Sequence, residues 1–255
     1  MSDILRPSPR HKPVSLFVTC MVDNLFPNTG IATVNILDHL GIDVDFPAGQ
    51  TCCGQPAFNA GFWDDARPVA THFLHVFADA ELIVTPSGSC ASMVAHYYPE
   101  LFKHEPRLYE KAVRIASITW ELSEYLVDGL GITALDASLP ATNVAFHHAC
   151  HGLRLGGIKK QAQTLVESID GVTVVELPGS EECCGFGGLF SVKMAAVSNA
   201  MLQTKLKNVR AAAADVILTG DAGCLAQING GLERADETAK VVHTAEFIAN
   251  ALVKS

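Results

Sequence analysis

Short apolar runs recur along the chain, each closed by a turn: "VSLFVT" at 14–19, "GIDVDF" at 41–46 and "ELIVT" at 81–85, then "NVAF" at 143–146, "GVTVVEL" at 171–177 and "DVILT" at 215–219. Runs of this length bounded by turn signals read as buried strands. Between them, "ATVNILDHL" (32–40), "KKQAQTLVESI" (159–169) and the stretches 62–79 and 190–212 carry apolar residues at helical spacing. "SITWELSEYL" (117–126) and "VHTAEFIANAL" (242–252) read as closing helices. Each half is therefore β-α-β-α-β-α, which predicts an α/β fold of two pseudo-symmetric domains, each a small parallel sheet flanked by helices. The polar, proline-containing "LGITALDASLPATN" (130–143) is the expected linker, with domains at 14–130 and 141–255.

The eight cysteines follow the same repeat. Cys20, Cys52, Cys53 and Cys90 are separated by 31, 0 and 36 residues; Cys150, Cys183, Cys184 and Cys224 by 32, 0 and 39. The order C…CC…C thus occurs twice, with offsets of 130 to 134 residues. In both halves the cysteines follow predicted strands, and parallel strands bring their C-terminal ends to one sheet edge, where open α/β folds place ligands. Three loops far apart in sequence can deliver four thiolates to one point. Glycines beside each pair let the backbone bend around a bulky group and offer amides to sulfur.

Adjacent cysteines do not form relaxed disulfides: their Cα atoms stand about 3.8 Å apart, where a bridge prefers roughly 5.5–6 Å. Four thiolates suit tetrahedral zinc or an iron–sulfur cluster. Structural zinc sites favour compact C-x2–4-C knuckles, and the chain has none. A larger inorganic core accepts ligands from separate loops, so one or two iron–sulfur clusters are expected, with zinc as the alternative occupant.

The blocks C-x31-CCG-x35-C and C-x32-CCG-x38-C resemble the tandem CCG-domain family, which includes the CCG-bearing chain of heterodisulfide reductase and glycolate oxidase iron–sulfur subunits. "VSLFVTCMVD", "VDFPAGQTCCGQPAFNAG", "TPSGSCASM" and "ELPGSEECCGFGGLFSVKMA" are most similar to its lactate-utilization branch. The resemblance covers residues 14–250. It implies an iron–sulfur electron-transport subunit of a multi-component system oxidising L-lactate to pyruvate, with the other subunits as partners and L-lactate or another 2-hydroxy acid as an indirect substrate. It assigns cluster binding to all eight cysteines. In heterodisulfide reductase each block ends in C-x-x-C and five cysteines hold the core; here Met93 and Gln227 stand at the last positions. Thioether and amide are weak ligands for such a core, so that enzyme's chemistry is not carried over.

"HHACH" supplies His147, His148 and His151 as reserve groups, better suited to donating N–H to sulfur than to ligation. His243 falls at a position matching Ile118. Trp63 and Trp120 read as packing residues, and Glu181 and Glu182 as a solvated face. "GFGGLF" lacks the dinucleotide spacing, so electrons are expected from a partner protein of the system.

Composition narrows the remaining classes. With 49% hydrophobic and 18% charged residues the chain can build a substantial core. A formal charge of −9 argues against a general nucleic-acid binder. No apolar run reaches the roughly 18–20 residues of a membrane span. "MSDILRPSPRHKP" lacks a secretory signal's apolar core, so a cytoplasmic protein with reduced cysteines is expected.

Overall fold

A computed structural model of the chain describes residues 6–254. The apolar runs form two parallel four-stranded sheets with the same strand order. In the first, β1 (Val14–Leu16), β2 (Val44–Asp45), β3 (Ile83–Thr85) and β4 (Thr119–Glu121) lie in the order β2-β1-β3-β4. In the second, β5 (Ser138–Phe146), β6 (Asp170–Val174), β7 (Val216–Thr219) and β8 (Val241–His243) lie in the order β6-β5-β7-β8. Helices Pro27–His39, Trp63–Val76, Lys160–Glu167 and Ala195–Ala211 flank the strands. This is the two-sheet, pseudo-symmetric α/β architecture that the repeat predicts.

Three details differ from the sequence expectation. Each half has four strands, because the closing segments begin as β4 and β8. These strands are three residues long, too short for a period to stand out, and β4 is buried at every position. The register pairs Thr85 with Glu121 and Thr219 with His243, so His243 is the counterpart of Glu121 rather than of Ile118. A helix at Pro106–Ile118, which has no counterpart before β8, lengthens the first half and displaced the match. Finally, the linker stretch 130–143 gives its last residues to β5, where Ser138 pairs with Asp170 before a register shift at Thr142.

The two halves share a core. Val14, Val84, Trp120 and Leu126 of the first pack in one apolar cluster with Val144, Phe146, Leu218 and Ile248 of the second. Across this seam Thr29 donates a hydrogen bond to Glu246, joining the helix Pro27–His39 to the helix Thr244–Lys254. Each half also keeps a private core on the outer side of its sheet, around Phe17 and Phe73 in the first and Leu206 and Ile228 in the second. The shared core fixes the C-terminal edges of the two sheets against each other. No helix among the described residues is long and apolar enough to cross a membrane.

A candidate metal centre lined by both halves

All eight cysteines lie in the segments that follow strands, carry free thiols and line one cavity of about 80 Å³ between the halves. β1 and β5 lead into Cys20 and Cys150, the first residues of helices Cys20–Leu25 and Cys150–Arg154. Thr19, just before Cys20, takes a φ of 74°, a conformation β-branched residues rarely adopt and one that re-aims the chain at the cavity. β3 and β7 lead into caps, Ser87 and Asp221, and the next turn of helix carries Cys90 and Cys224. These two cysteines, expected in loops, lie on helical turns. The adjacent pairs Cys52–Cys53 and Cys183–Cys184 follow the second strand of each half, ahead of Gly54 and Gly185 with φ of 84° and 90°.

The sulfurs gather by half. Cys53 Sγ lies 3.4 Å from Cys90 Sγ, and Cys20 and Cys52 line the same cavity. In the second half Cys184 Sγ lies 3.5 Å from Cys224 Sγ, and Cys150 Sγ 4.0 Å from Cys183 Sγ. Thiolates sharing one tetrahedral ion with bonds of about 2.3 Å stand about 3.8 Å apart, so these separations fit a single ion as they are, whereas a cluster with one thiolate on each iron requires the sulfurs to spread. Gly54 N–H donates to Cys52 Sγ and Gly185 N–H to Cys183 Sγ, both at 3.4 Å.

Hydrogen bonds from Cys20 and Cys53 hold the Cys52 thiol well below its usual range, and those from Cys150 and Cys184 do the same for Cys183. The donating thiols Cys20 and Cys150 are pushed up in return, with burial adding to the effect. A bound cation offsets the mutual repulsion of four thiolates held this close.

The histidines divide. His147 is 2% exposed and neither ring nitrogen has a partner among the described residues. One of its ring nitrogens and the sulfurs of Cys184 and Cys224 lie within 4.8 Å of one another. Burial pushes its imidazole down to about 3, so the ring is neutral. His151 Nδ1 stands 3.7 Å from Cys150 Sγ, whereas His148 stacks on Phe146 at 5.9 Å. His243 is architectural: Nδ1 accepts from the Ala245 N–H at 3.2 Å, which leaves Nε2 to donate to the Pro86 carbonyl at 3.0 Å.

Met93 is fully buried in the first private core, and Gln227 donates to Ser198 Oγ at 3.2 Å; neither lines the cavity. Trp120 is buried, and Trp63 stacks on Phe58 at 5.2 Å. Glu181 pairs with Lys159 on the surface. Sequence reading did not single out Lys205, which is 1% exposed and donates from Nζ to the Gly179 carbonyl at 2.5 Å, in the loop leading to Cys183.

The model of the cysteine-rich domain, CCG, matches the chain twice, over residues 14–95 and 144–229. The chain is 45% identical over 241 residues to lactate utilization protein A 2 of Bacillus cereus (strain Q1), covering 94% of this chain and 99% of that protein. It is likewise 45% identical over 235 residues to lactate utilization protein A of Bacillus subtilis (strain 168), covering 92% and 98%. Among solved structures, a hypothetical protein from Helicobacter pylori superposes on 99% of the chain with a TM-score of 0.65 at 11% identity, a likeness of fold. The chain spans about half of that structure's length (51%). With two CCG blocks, each bearing a sulfur quartet, and this degree of identity along nearly its whole length, the chain belongs to the lactate utilization protein A family.

Proposed function

We propose that this chain is the iron–sulfur electron-transfer subunit of a multi-component system oxidising L-lactate to pyruvate, each quartet holding one cluster of the [4Fe-4S] kind. The observation that carries the reading is the pair of quartets, four thiols drawn together by three loops of each half and all eight facing one cavity. Zinc accepts four thiolates too. Vicinal ligands drawn from three separated loops, with amides already aimed at sulfur, favour the larger core. Bound there, a cluster supplies one-electron chemistry, gained and returned without a change in covalent bonding to substrate.

The chain's residues do the rest. Cys20, Cys52, Cys53 and Cys90 form the first ligand set; Cys150, Cys183, Cys184 and Cys224 form the second. The Gly54 and Gly185 amides stabilise negative charge on the sulfurs of Cys52 and Cys183, and Phe186 and Pro56 line the cavity beside them. Conversion of lactate to pyruvate releases two electrons and two protons. The chain has no flavin or nicotinamide fingerprint, so the carbon chemistry falls to a partner protein of the system and electron passage to this chain. We assign one ligand set to each of the domains 14–130 and 141–255, and place the protein in the cytoplasm, where eight free thiols stay reduced.

Anaerobic reconstitution with iron and sulfide tests the reading. The expected product is a brown protein with roughly eight iron atoms per chain and a paramagnetic signal on reduction. A colourless protein that takes up stoichiometric zinc and no sulfide overturns it in favour of a zinc-stabilised scaffold.

A further inference from the structure

The two sulfur quartets are alike, but what stands behind them is not. Counting back three residues from Cys20 and from Cys150 places Phe17 and His147 at the same position of the repeat. On the next flanking helix, Ala66 O lies nearest Gly54 and Ser198 O nearest Gly185, which aligns helix Trp63–Val76 with helix Ala195–Ala211. That alignment puts Phe73 opposite Lys205. In the first half the two positions form an edge-on aromatic pair, with ring centroids 4.8 Å apart and both side chains buried. In the second half the same two positions hold a buried imidazole and a buried ammonium.

We propose that His147 and Lys205 make the second site the more readily reduced of the two. This rests on the presence of clusters in both quartets. A reduced site carries one more negative charge than an oxidised one. Hydrogen-bond donors and positive charge nearby stabilise that form and raise the potential, whereas apolar surroundings lower it. The His147 ring carries an N–H in either tautomer, and sulfur in a metal-bound thiolate only accepts, so the nitrogen turned to Cys184 and Cys224 is the one that bears the proton. Lys205 acts through space and through the Gly179 carbonyl it holds. Phe17 and Phe73 offer neither a donor nor a charge. An electron delivered to the protein therefore comes to rest in the second half.

The inference is read from redox titrations of the reconstituted full-length chain, followed by paramagnetic resonance. Cys184→Ser isolates the first site and Cys53→Ser the second. The second should hold the electron at least tenfold more strongly, a separation of about 59 mV or more for a one-electron couple. His147→Leu and Lys205→Met should each lower the second midpoint and leave the first in place, while His147→Gln, which keeps a donor, should lose less. The first site's unchanged signal reports that the fold is intact. Absence of cluster absorption in the wild type removes the proposed function and this inference together. Clusters present with equal midpoints, a second site harder to reduce, or variants that shift both sites alike overturn this inference alone. Strong coupling to a directly bonded nitrogen in protein labelled with 15N-histidine overturns the donor role of His147.

Discussion

Ser87 and Asp221 occupy the same position in the two halves and are hydrogen-bonded to each other: Ser87 Oγ donates to Asp221 Oδ2 at 3.1 Å. Each also caps the helix that carries its own half's last cysteine. The pseudo-twofold axis therefore passes between these side chains, and a single buried carboxylate ties both sulfur sites together. Asp221 accepts from Ser89 N–H at 3.0 Å as well as from its own Gly223 N–H at 3.0 Å.

Asp221→Ala removes three hydrogen bonds to a charged group and one helix cap, a loss of about 2–3 kcal/mol after the backbone regains partial solvation. Ser87→Ala costs about 1 kcal/mol. Denaturant titration of the metal-free, reduced protein checks both values. The double variant should be less destabilised than the sum, since the two side chains share one bond. Strict additivity contradicts the direct contact.

Close approach of backbone at the seam makes a second expectation. A Cβ on Gly88 would meet Gly152 Cα at 3.1 Å, and Gly88 N–H donates to the Gly220 carbonyl at 3.2 Å. Neither neighbour has a flexible end that can yield. Gly88→Ala should cost about 1–3 kcal/mol. Gly230→Ala is the contrast: it lies inside helix Ala222–Arg234 with no atom within 4 Å of the added carbon, and should stabilise by about 0.5–1 kcal/mol. Equal effects at the two glycines contradict this account of the seam.

Stability should also depend on pH through Glu121. Burial pushes its carboxyl up to about 7, against hydrogen bonds from Ser123 and the Glu124 N–H that favour the ionised form. The folded value lies above the unfolded value near 4.5, so the contribution is fully present below about pH 4.5 and lost as pH rises through about 7. The span corresponds to about 3 kcal/mol. Glu121→Gln should gain on the wild type by about that amount between those limits, measured by denaturation of the metal-free protein. A constant difference across the range removes the assignment.

How far these features were legible in the sequence depends on what kind of signal each one leaves. β1, β3, β7 and the buried end of β5 stand out because a stretch buried on both faces is a continuous apolar run, and each leads into a cysteine. β4 and β8 do not, because Glu121 and His243 are polar residues buried for capping, and three residues are too few for a period. Their mismatch followed from one helix, Pro106–Ile118, that only the first half possesses. The eight cysteines were visible through order and spacing alone. The groups behind them were not. Lys205 sits in a helix whose other charges face water, and nothing local marks it as buried. The repeat held the clue, since its partner Phe73 is a core residue. His147 was visible as a candidate within "HHACH", but only the folded chain separates it from His148, which turns to stack on Phe146.

The last expectation concerns which thiols act together. The sulfur contacts run within each half, yet all eight thiols border one cavity, so two independent sites compete with a single shared one. The 3.4 Å contact of Cys53 with Cys90 and the 3.5 Å contact of Cys184 with Cys224 are both intra-half, as is each glycine amide bond to a pair sulfur. Independent sites follow from that pattern. Cys53→Ser should then lose about half of the iron and keep the spectrum of the second site, and Cys184→Ser the converse, because serine lacks the soft sulfur the core prefers. Iron and sulfide counts on the two anaerobically reconstituted variants decide the matter. If either substitution alone empties the protein, the ligands are pooled across the seam, and the Ser87–Asp221 bond joins two parts of one site instead of two sites.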